Sequence, residues 1–127
     1  MNNIPKKPDL TNLAEYKTYK YNSIDLRSGE LIAQGFVYNA KTFSMSANAQ
    51  NNLLGTIIKK DVLTYPFAWN TKDNSETYQI ADATDMDAFF MTALGTKKAH
   101  QDSGSALKAL VTAATTVAEV EAVVDAR

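Results

Sequence analysis

Few side chains in this sequence are of the types that do chemistry. The single histidine, His100, lies in the polar stretch KKAHQD, and a base or metal-ligand role would need partners that the neighbouring residues do not supply. Asp82, Asp85 and Asp87 crowd one predicted helix start. These three carboxylates could bind a cation, but helix capping accounts for most of them.

Other chemical signatures are missing. The chain has no cysteine, which excludes disulfides and thiolate catalysis, and it carries none of the phosphate-loop, dinucleotide-binding, serine-hydrolase or zinc-protease motifs. Asp73-Asn74 could hold an ion, although such a pair in a turn usually bonds its own backbone. The sequence therefore predicts a protein that is not an enzyme and that holds no cofactor or metal.

The charges are balanced, with 13 basic and 14 acidic residues and a net charge of −1. Tyrosine-rich strands with Lys17 and Lys20 could stack bases and touch phosphates, but the absence of a basic field argues against nucleic acid. The N-terminus does not have the pattern of a secretory signal, and no apolar run is long enough to span a membrane. We expect a soluble protein.

Residues 1–15 are predicted to form an arm. Pro5 and Pro8 flank a Lys-Lys pair, and each proline disfavours helical geometry in the residue before it. The arm is either a free tail or a strap that orders against a partner chain.

Residues 16–46 have the composition of strands. Tyr16, Tyr19 and Tyr21 alternate with polar residues, as on a half-exposed strand. RSGE at 27–30 and YNAK at 38–41 are predicted turns, and Gly35 indicates a bulge or a close backbone approach. This segment is predicted to be a two- or three-stranded antiparallel unit.

A helix is predicted from 47 to 60, capped by Ser44 or Ser46. Its apolar residues are spaced to form one buried stripe, which consists of Leu53, Leu54, Ile57 and Ile58. Residues 64–82 then read as a second hairpin around the polar loop NTKDNS. Trp69 in this hairpin is either a packing residue or a recognition anchor.

The last third of the chain is predicted to be helical. Asp82 or Thr84 caps the first helix, SGS at 103–105 breaks and restarts it, and Thr116-x-x-Glu119 has the spacing of a capping box. The final helical face is formed by valines at 117, 120, 123 and 124. The short Ala/Val-rich helices would pair with each other or with copies from neighbouring subunits.

The order of these segments resembles a small domain of unknown function found in bacteriophage tail and tail-fibre proteins. In that family the middle hairpin holds a Trp followed by a polar Asp/Asn turn, and the C-terminal helix pair has a recurring Leu, Ala, Thr and Glu pattern. The resemblance covers roughly residues 20–127, with valines replacing some Ile and Leu. Matching residues are Trp69, Asp73, Asn74, Leu107, Ala109, Val111, Ala113, Ala114, Thr115, Glu119 and Val120. The resemblance implies a role in a virion or in its assembly, and it carries over no catalytic residue.

The sequence thus predicts an α+β protein in which small antiparallel hairpins pack with three to four short helices. After the arm at 1–15, a single domain is predicted over 16–127, with hairpins and a helix at 16–81 and a helical part at 82–127. We expect a non-enzymatic structural protein of a phage particle, an adaptor in the tail, baseplate or fibre-attachment region. It would be made in the host cytoplasm, end in the virion and assemble as a homo-oligomer with other phage structural proteins. The alternative is a tail-fibre assembly chaperone that is absent from the particle and binds through its C-terminal helices. Candidate partner-binding residues are Pro5, Pro8, Tyr16, Tyr19, Tyr21, Trp69, Val120 and Val124.

Overall fold

A computed structural model of the protein describes residues 4–7 and 11–127, and it confirms the predicted α+β class. Within these residues four helices and two antiparallel hairpins follow one another along the chain. They are α1 (Leu13–Ala33), β1 (Phe36–Tyr38), β2 (Lys41–Phe43), α2 (Ala47–Ile58), β3 (Phe67–Asn70), β4 (Thr77–Ile80), α3 (Ala83–Ala113) and α4 (Val117–Ala122).

The chain divides into two compact units. The first unit contains the described residues up to Glu30 together with Ala99–Arg127, and the second unit is Leu31–Lys98. Each unit has its own apolar cluster. The prediction of one domain over 16–127 and of an arm over 1–15 remains a prediction, and the arm lies partly outside the described residues.

The predicted strands and the RSGE turn at the start of the chain are wrong, because these residues form α1. Asn12 caps this helix, since its Oδ1 accepts a bond from the Glu15 N–H over 3.0 Å. Its buried residues are Tyr16, Ile24 and Ser28, whose successive spacings of eight and four positions place them on one helical face. Burial on that face overrides the strand preference of the tyrosines.

The core of the first unit joins α1 to the C-terminal half of α3. Tyr16, Ile24, Val111, Ala114 and Val120 form its buried cluster. Lys17 Nζ donates to the Thr112 carbonyl over 2.9 Å, and Lys108 Nζ donates to Asp25 Oδ1 over 2.8 Å. The later residue of α1 thus contacts the earlier residue of α3, so the two helices run antiparallel.

The predicted break at SGS is wrong, because α3 continues through it to Ala113. Gly104 is buried, and a Cβ there would lie 2.5 Å from Ser28 Oγ. The glycine therefore permits close approach of the two helices and does not end one of them.

The first hairpin has a two-residue turn at Asn39 and Ala40, as predicted for YNAK. Both residues have positive φ, 48° and 63°, which suits the right-handed twist of a tight hairpin. Gly35 precedes β1 at φ 98°, and a Cβ there would lie 2.2 Å from the Phe43 carbonyl oxygen. The predicted close backbone approach at Gly35 is confirmed.

Helix α2 begins as predicted, with Ser46 as its cap and the Ala49 N–H bonded to Ser46 Oγ over 3.2 Å. The prediction of a single buried stripe is wrong for two of its four members. Leu53 is buried, but Leu54 and Ile58 are 54% and 77% exposed.

The second hairpin pairs Phe67 with Ile80 and Asn70 with Thr77, within the predicted range. Phe89 of α3 lies at the centre of the core beneath both hairpins, with its ring 4.9 Å from that of Phe43 and 5.4 Å from that of Trp69. Aromatic residues from both hairpins and α3 therefore form one cluster in the second unit.

Two further predicted caps are confirmed. The Asp85 N–H bonds Asp82 Oδ1 over 2.8 Å at the start of α3. The Glu119 N–H bonds Thr116 Oγ1 over 3.1 Å at the start of α4, while Glu119 Oε2 accepts from the Thr115 N–H over 2.7 Å. Both arrangements satisfy N–H groups that have no partner inside the helix.

Candidate functional site: an apolar surface on α2 and α3

The residues predicted to bind partners fall into different environments. Pro8 lies outside the described residues, and Pro5 is partly exposed. The prediction of three exposed tyrosines is wrong for Tyr16, which is 2% exposed and donates a hydrogen bond to Glu121 Oε1 over 2.8 Å. Burial and this bond raise the pKa of Tyr16 to about 12.

The other two tyrosines are partly buried. The ring of Tyr19 packs edge-on to that of Tyr16 at 5.7 Å. The hydroxyl of Tyr21 lies 2.7 Å from Thr112 Oγ1. The contact of Tyr21 joins α1 to α3 within the first unit. A role of either tyrosine in binding a partner remains a prediction.

The two candidate valines and the tryptophan also differ. Val120 is fully buried in the first unit, whereas Val124 is 69% exposed. Trp69 is partly buried and packs on the core around Phe89, so it is a packing residue in the second unit. Its outer side also lines a groove between α2 and β3.

A surface that the sequence analysis did not identify lies on α2 and α3 of the second unit. Leu54 and Ile58 of α2 and Met91 and Leu94 of α3 are exposed, although all four are large and apolar. Leu54 and Leu94 line one small groove together with the partly buried Phe90. We call these five residues the apolar surface.

Polar contacts bracket the apolar surface at both ends. Lys97 Nζ donates to Gln50 Oε1 over 2.5 Å, and Lys60 Nζ donates to both oxygens of Asp87 over 2.7 and 2.8 Å. The bond to Asp87 raises the pKa of Lys60. Because the paired positions run in opposite order along the chain, α2 and α3 are antiparallel here, which brings their apolar side chains alongside one another.

A second polar cluster fixes both hairpins to the start of α3. Tyr38 and Tyr78 donate their hydroxyls to the two oxygens of Asp85 over 2.5 and 2.7 Å, and the Ala81 N–H donates to Asp85 Oδ2 over 2.9 Å. Partial burial raises the pKa of Asp85, but the three bonds outweigh it and the net pKa is lowered. Burial and the bond to Asp85 raise the pKa of Tyr38.

The hydrogen bonds of the Asp85 cluster stabilise the fold. The two hydroxyls of this cluster stay protonated at neutral pH and are committed to one carboxylate. Within 4–7 and 11–127 no group of three His, Cys, Asp or Glu side chains is placed to hold a metal ion. The helices in the same residues include none that is both long and apolar enough to cross a membrane.

Comparison with known protein families assigns the chain to one of them. The model of the family described as "Domain of unknown function (DUF4376)" matches residues 15–126. The chain therefore belongs to this family. This agrees with the predicted resemblance to a domain of unknown function, and the family description does not mention phages. Searches of curated proteins and of solved structures find no significant match.

One signal in the sequence could have indicated the apolar surface. The predicted stripe on α2 contains adjacent apolar pairs at 53–54 and 57–58, which span about 140° of a helix when counted at 100° per residue. A short helix that packs on one side buries less than this arc. The outer member of each pair, Leu54 and Ile58, was therefore available to solvent.

Proposed function

We propose that the chain is a non-enzymatic structural protein of a bacteriophage particle. It would act as an adaptor in the tail, baseplate or fibre-attachment region and assemble through contacts between subunits. The observation that carries the proposed assembly through subunit contacts is the apolar surface on α2 and α3. A large apolar side chain that becomes fully buried contributes roughly 1.5–3 kcal/mol, so a contact that covers this surface would be favourable.

Two further points support the proposal. The described residues contain no arrangement typical of a catalytic centre: the hydrogen bonds around Asp85 join both hairpins to α3, and the guanidinium of Arg127 is held by Ser28, Ser103 and Asp125. The sequence also resembles domains of phage tail and tail-fibre proteins in its Trp69 hairpin and its C-terminal helices. The phage assignment rests on this resemblance alone.

The first test is a stoichiometric mass-spectrometric count of the chain in purified particles from its source. Presence at three, five, six or twelve copies per particle, or a multiple, is the result expected of a ring or fibre-attachment component. Absence from particles, with presence in infected cells, would overturn the virion proposal.

A second test asks whether the apolar surface makes the subunit contact. The variant Leu94→Glu is expected to abolish incorporation into particles and self-association in solution, because a charge in an apolar interface is costly. Val37→Glu is the matched control, since Val37 is an exposed apolar residue on β1, away from this surface. Equal loss in both variants would show that this surface is not the specific contact.

The chaperone alternative has its own structural support. Leu110 of α3 and Val124 are exposed and flank a mostly apolar groove of about 500 Å³ in the first unit. A chaperone would bind a fibre chain there and leave before the particle matures. If the chain is a chaperone, we expect it to form a soluble complex with the fibre protein. Leu110→Glu should disrupt this complex, whereas Leu94→Glu should not.

A further inference from the structure

Among the described residues, no strand pairs with the outer edge of β3, since this hairpin is a two-stranded sheet. Along an antiparallel strand, every second residue directs its backbone N–H and C=O at the partner strand, and the residues between direct theirs away from it. The Thr71 N–H bonds the Glu76 carbonyl over 3.0 Å, which sets the alternation for the whole hairpin. The backbone N–H and C=O of Ala68 and Asn70 therefore point away from β4. Beyond the end of β3, the next outward N–H, that of Lys72, bonds the Thr42 carbonyl of β2 over 2.9 Å.

These outward groups have no partner among the described residues. In the part of the chain that the structure describes, neither the N–H nor the C=O of Ala68 or Asn70 makes a hydrogen bond. Two such residues, two positions apart, present the row of donors and acceptors that another extended chain pairs with. Both residues are also exposed on the surface.

The free edge lies in a groove of about 690 Å³, and α2 forms the opposite wall. That wall is made of small or uncharged residues, including Ala49, Asn52, Gly55 and Thr56. Of the residues in 4–7 and 11–127, none with a charged side chain lines the groove. At Gly55 a Cβ would meet nothing within 4 Å, so the wall has open space in front of it.

We propose that this groove binds one extended, uncharged peptide segment of a partner protein, which pairs with β3 as an added strand. The unpaired backbone groups would supply the hydrogen bonds. Phe67 and Trp69 would offer apolar contacts to every second side chain of the segment, because alternate residues of a strand share a face. The uncharged lining favours a segment without charges, since a buried charge would have no partner there.

The geometry favours a single segment over the hairpin of a second copy. A second copy would bring its own β4 along with β3, and α2 closes the side of the groove where that strand would lie. This inference does not depend on the phage assignment. Failure of the test below would leave that proposal unchanged.

The experiment selects peptides from a random nine-residue library against the full chain, with counter-selection against the variant Gly55→Leu. Leucine at this open helical position fills the groove and raises helix propensity. Gly95→Leu is the matched control, because Gly95 is an equally open glycine in a helix that does not line this groove. We expect enriched peptides without charges that bind the native chain and Gly95→Leu equally and Gly55→Leu at least roughly tenfold more weakly.

Backbone pairing is tested with the same peptides. Amide hydrogen exchange at Ala68 and Asn70 is expected to be fast in the free protein and to slow at least tenfold, as an order of magnitude, when a peptide is bound. Ala68→Pro removes one outward N–H and should weaken binding, whereas Gln79→Pro removes the equivalent outward N–H on β4 and should not. Unfolding curves of both proline variants verify that they fold.

Several results would overturn the proposal. They are no enrichment over the Gly55→Leu counter-selection, equal binding to both leucine variants, and binding that leaves amide exchange at Ala68 and Asn70 unchanged. The last result would place the peptide elsewhere or in another binding mode.

Discussion

The hydroxyl of Tyr38 donates a hydrogen bond to Asp85 Oδ1 over 2.5 Å, which ties the first hairpin to the first turn of α3. The same carboxylate accepts the Tyr78 hydroxyl of the second hairpin. One acidic side chain thus fixes two hairpins, each of which would be marginal alone. The ring of Tyr38 also packs edge-on to Phe89, so the polar tie sits at the rim of the aromatic core.

Replacing Tyr38 with Phe is expected to lower the free energy of unfolding by about 1 kcal/mol. The change removes one charge-assisted bond and keeps the ring, and partial exposure of the pair moderates the loss. Urea unfolding would be followed by circular dichroism, which reports on both units, and by the fluorescence of Trp69, the single tryptophan of the chain, which reports on the second unit. Tyr19→Phe is the control, because the Tyr19 hydroxyl makes no hydrogen bond in the described structure, and its loss should be near zero.

The lowered pKa of Asp85 sets a direction for the pH dependence of stability. A carboxyl whose folded pKa lies below its unfolded value stabilises the fold above the unfolded pKa and loses this contribution as pH falls through the folded pKa. The unfolded value for Asp is about 3.9. We therefore expect the stability difference between the native chain and Asp85→Asn to shrink as the pH is lowered from 6 to about 3. A constant difference over that range would show that the Asp85 charge does not contribute.

The turn of the first hairpin places an alanine, Ala40, in a left-handed backbone conformation that favours glycine. Ala40 has φ 63°, where a Cβ is unfavourable by roughly 1–2 kcal/mol. Ala40→Gly is expected to stabilise the protein by about 0.5–1 kcal/mol, after the larger entropy of glycine in the unfolded chain is subtracted.

The control for Ala40→Gly is the same substitution at Ala88, an exposed residue within α3. There it should destabilise by about 1 kcal/mol, because glycine is a poor helix former. Opposite signs in thermal or urea unfolding would verify the conformational explanation. Equal signs would contradict it.

Features set by short-range chemistry could be predicted from the sequence. The caps at Ser46, Asp82 and Thr116 follow from side chains that bond an N–H three residues later. The turn at Asn39-Ala40 and the polar loop of the second hairpin follow from turn-forming residues. Each of these depends on a few neighbouring residues.

Features set by distant contacts were not predictable in the same way. Helix α1 contains tyrosines that prefer strands, and it is helical because Tyr16 and Ile24 pack against Val111 and Val120, about a hundred positions away. The apolar surface was hidden for a similar reason, since which side of α2 is covered depends on where α3 lies. A sequence pattern predicts an apolar face but not how much of it is covered.

The glycines of α3 provide a test of long-range packing against local propensity. Gly95 has open space around it, so Gly95→Ala should stabilise the helix by about 0.5–1 kcal/mol. Gly104→Ala gains the same helix propensity, but its Cβ would lie 2.5 Å from Ser28 Oγ. The Ser28 hydroxyl accepts a hydrogen bond from Arg127 Nη1 over 2.8 Å. Displacing this hydroxyl would break a contact that joins Arg127 to α1.

We expect Gly104→Ala to destabilise the protein by about 1–2 kcal/mol, because overpacking at a tight helix contact outweighs the gain in propensity. The pair Ser28→Ala with Gly104→Ala should recover part of this loss relative to the sum of the single changes, since alanine at 28 removes the atom that clashes. Thermal unfolding by circular dichroism measures all four variants. If Gly95→Ala and Gly104→Ala were equally stabilising, the close approach of α1 and α3 at Gly104 would be contradicted.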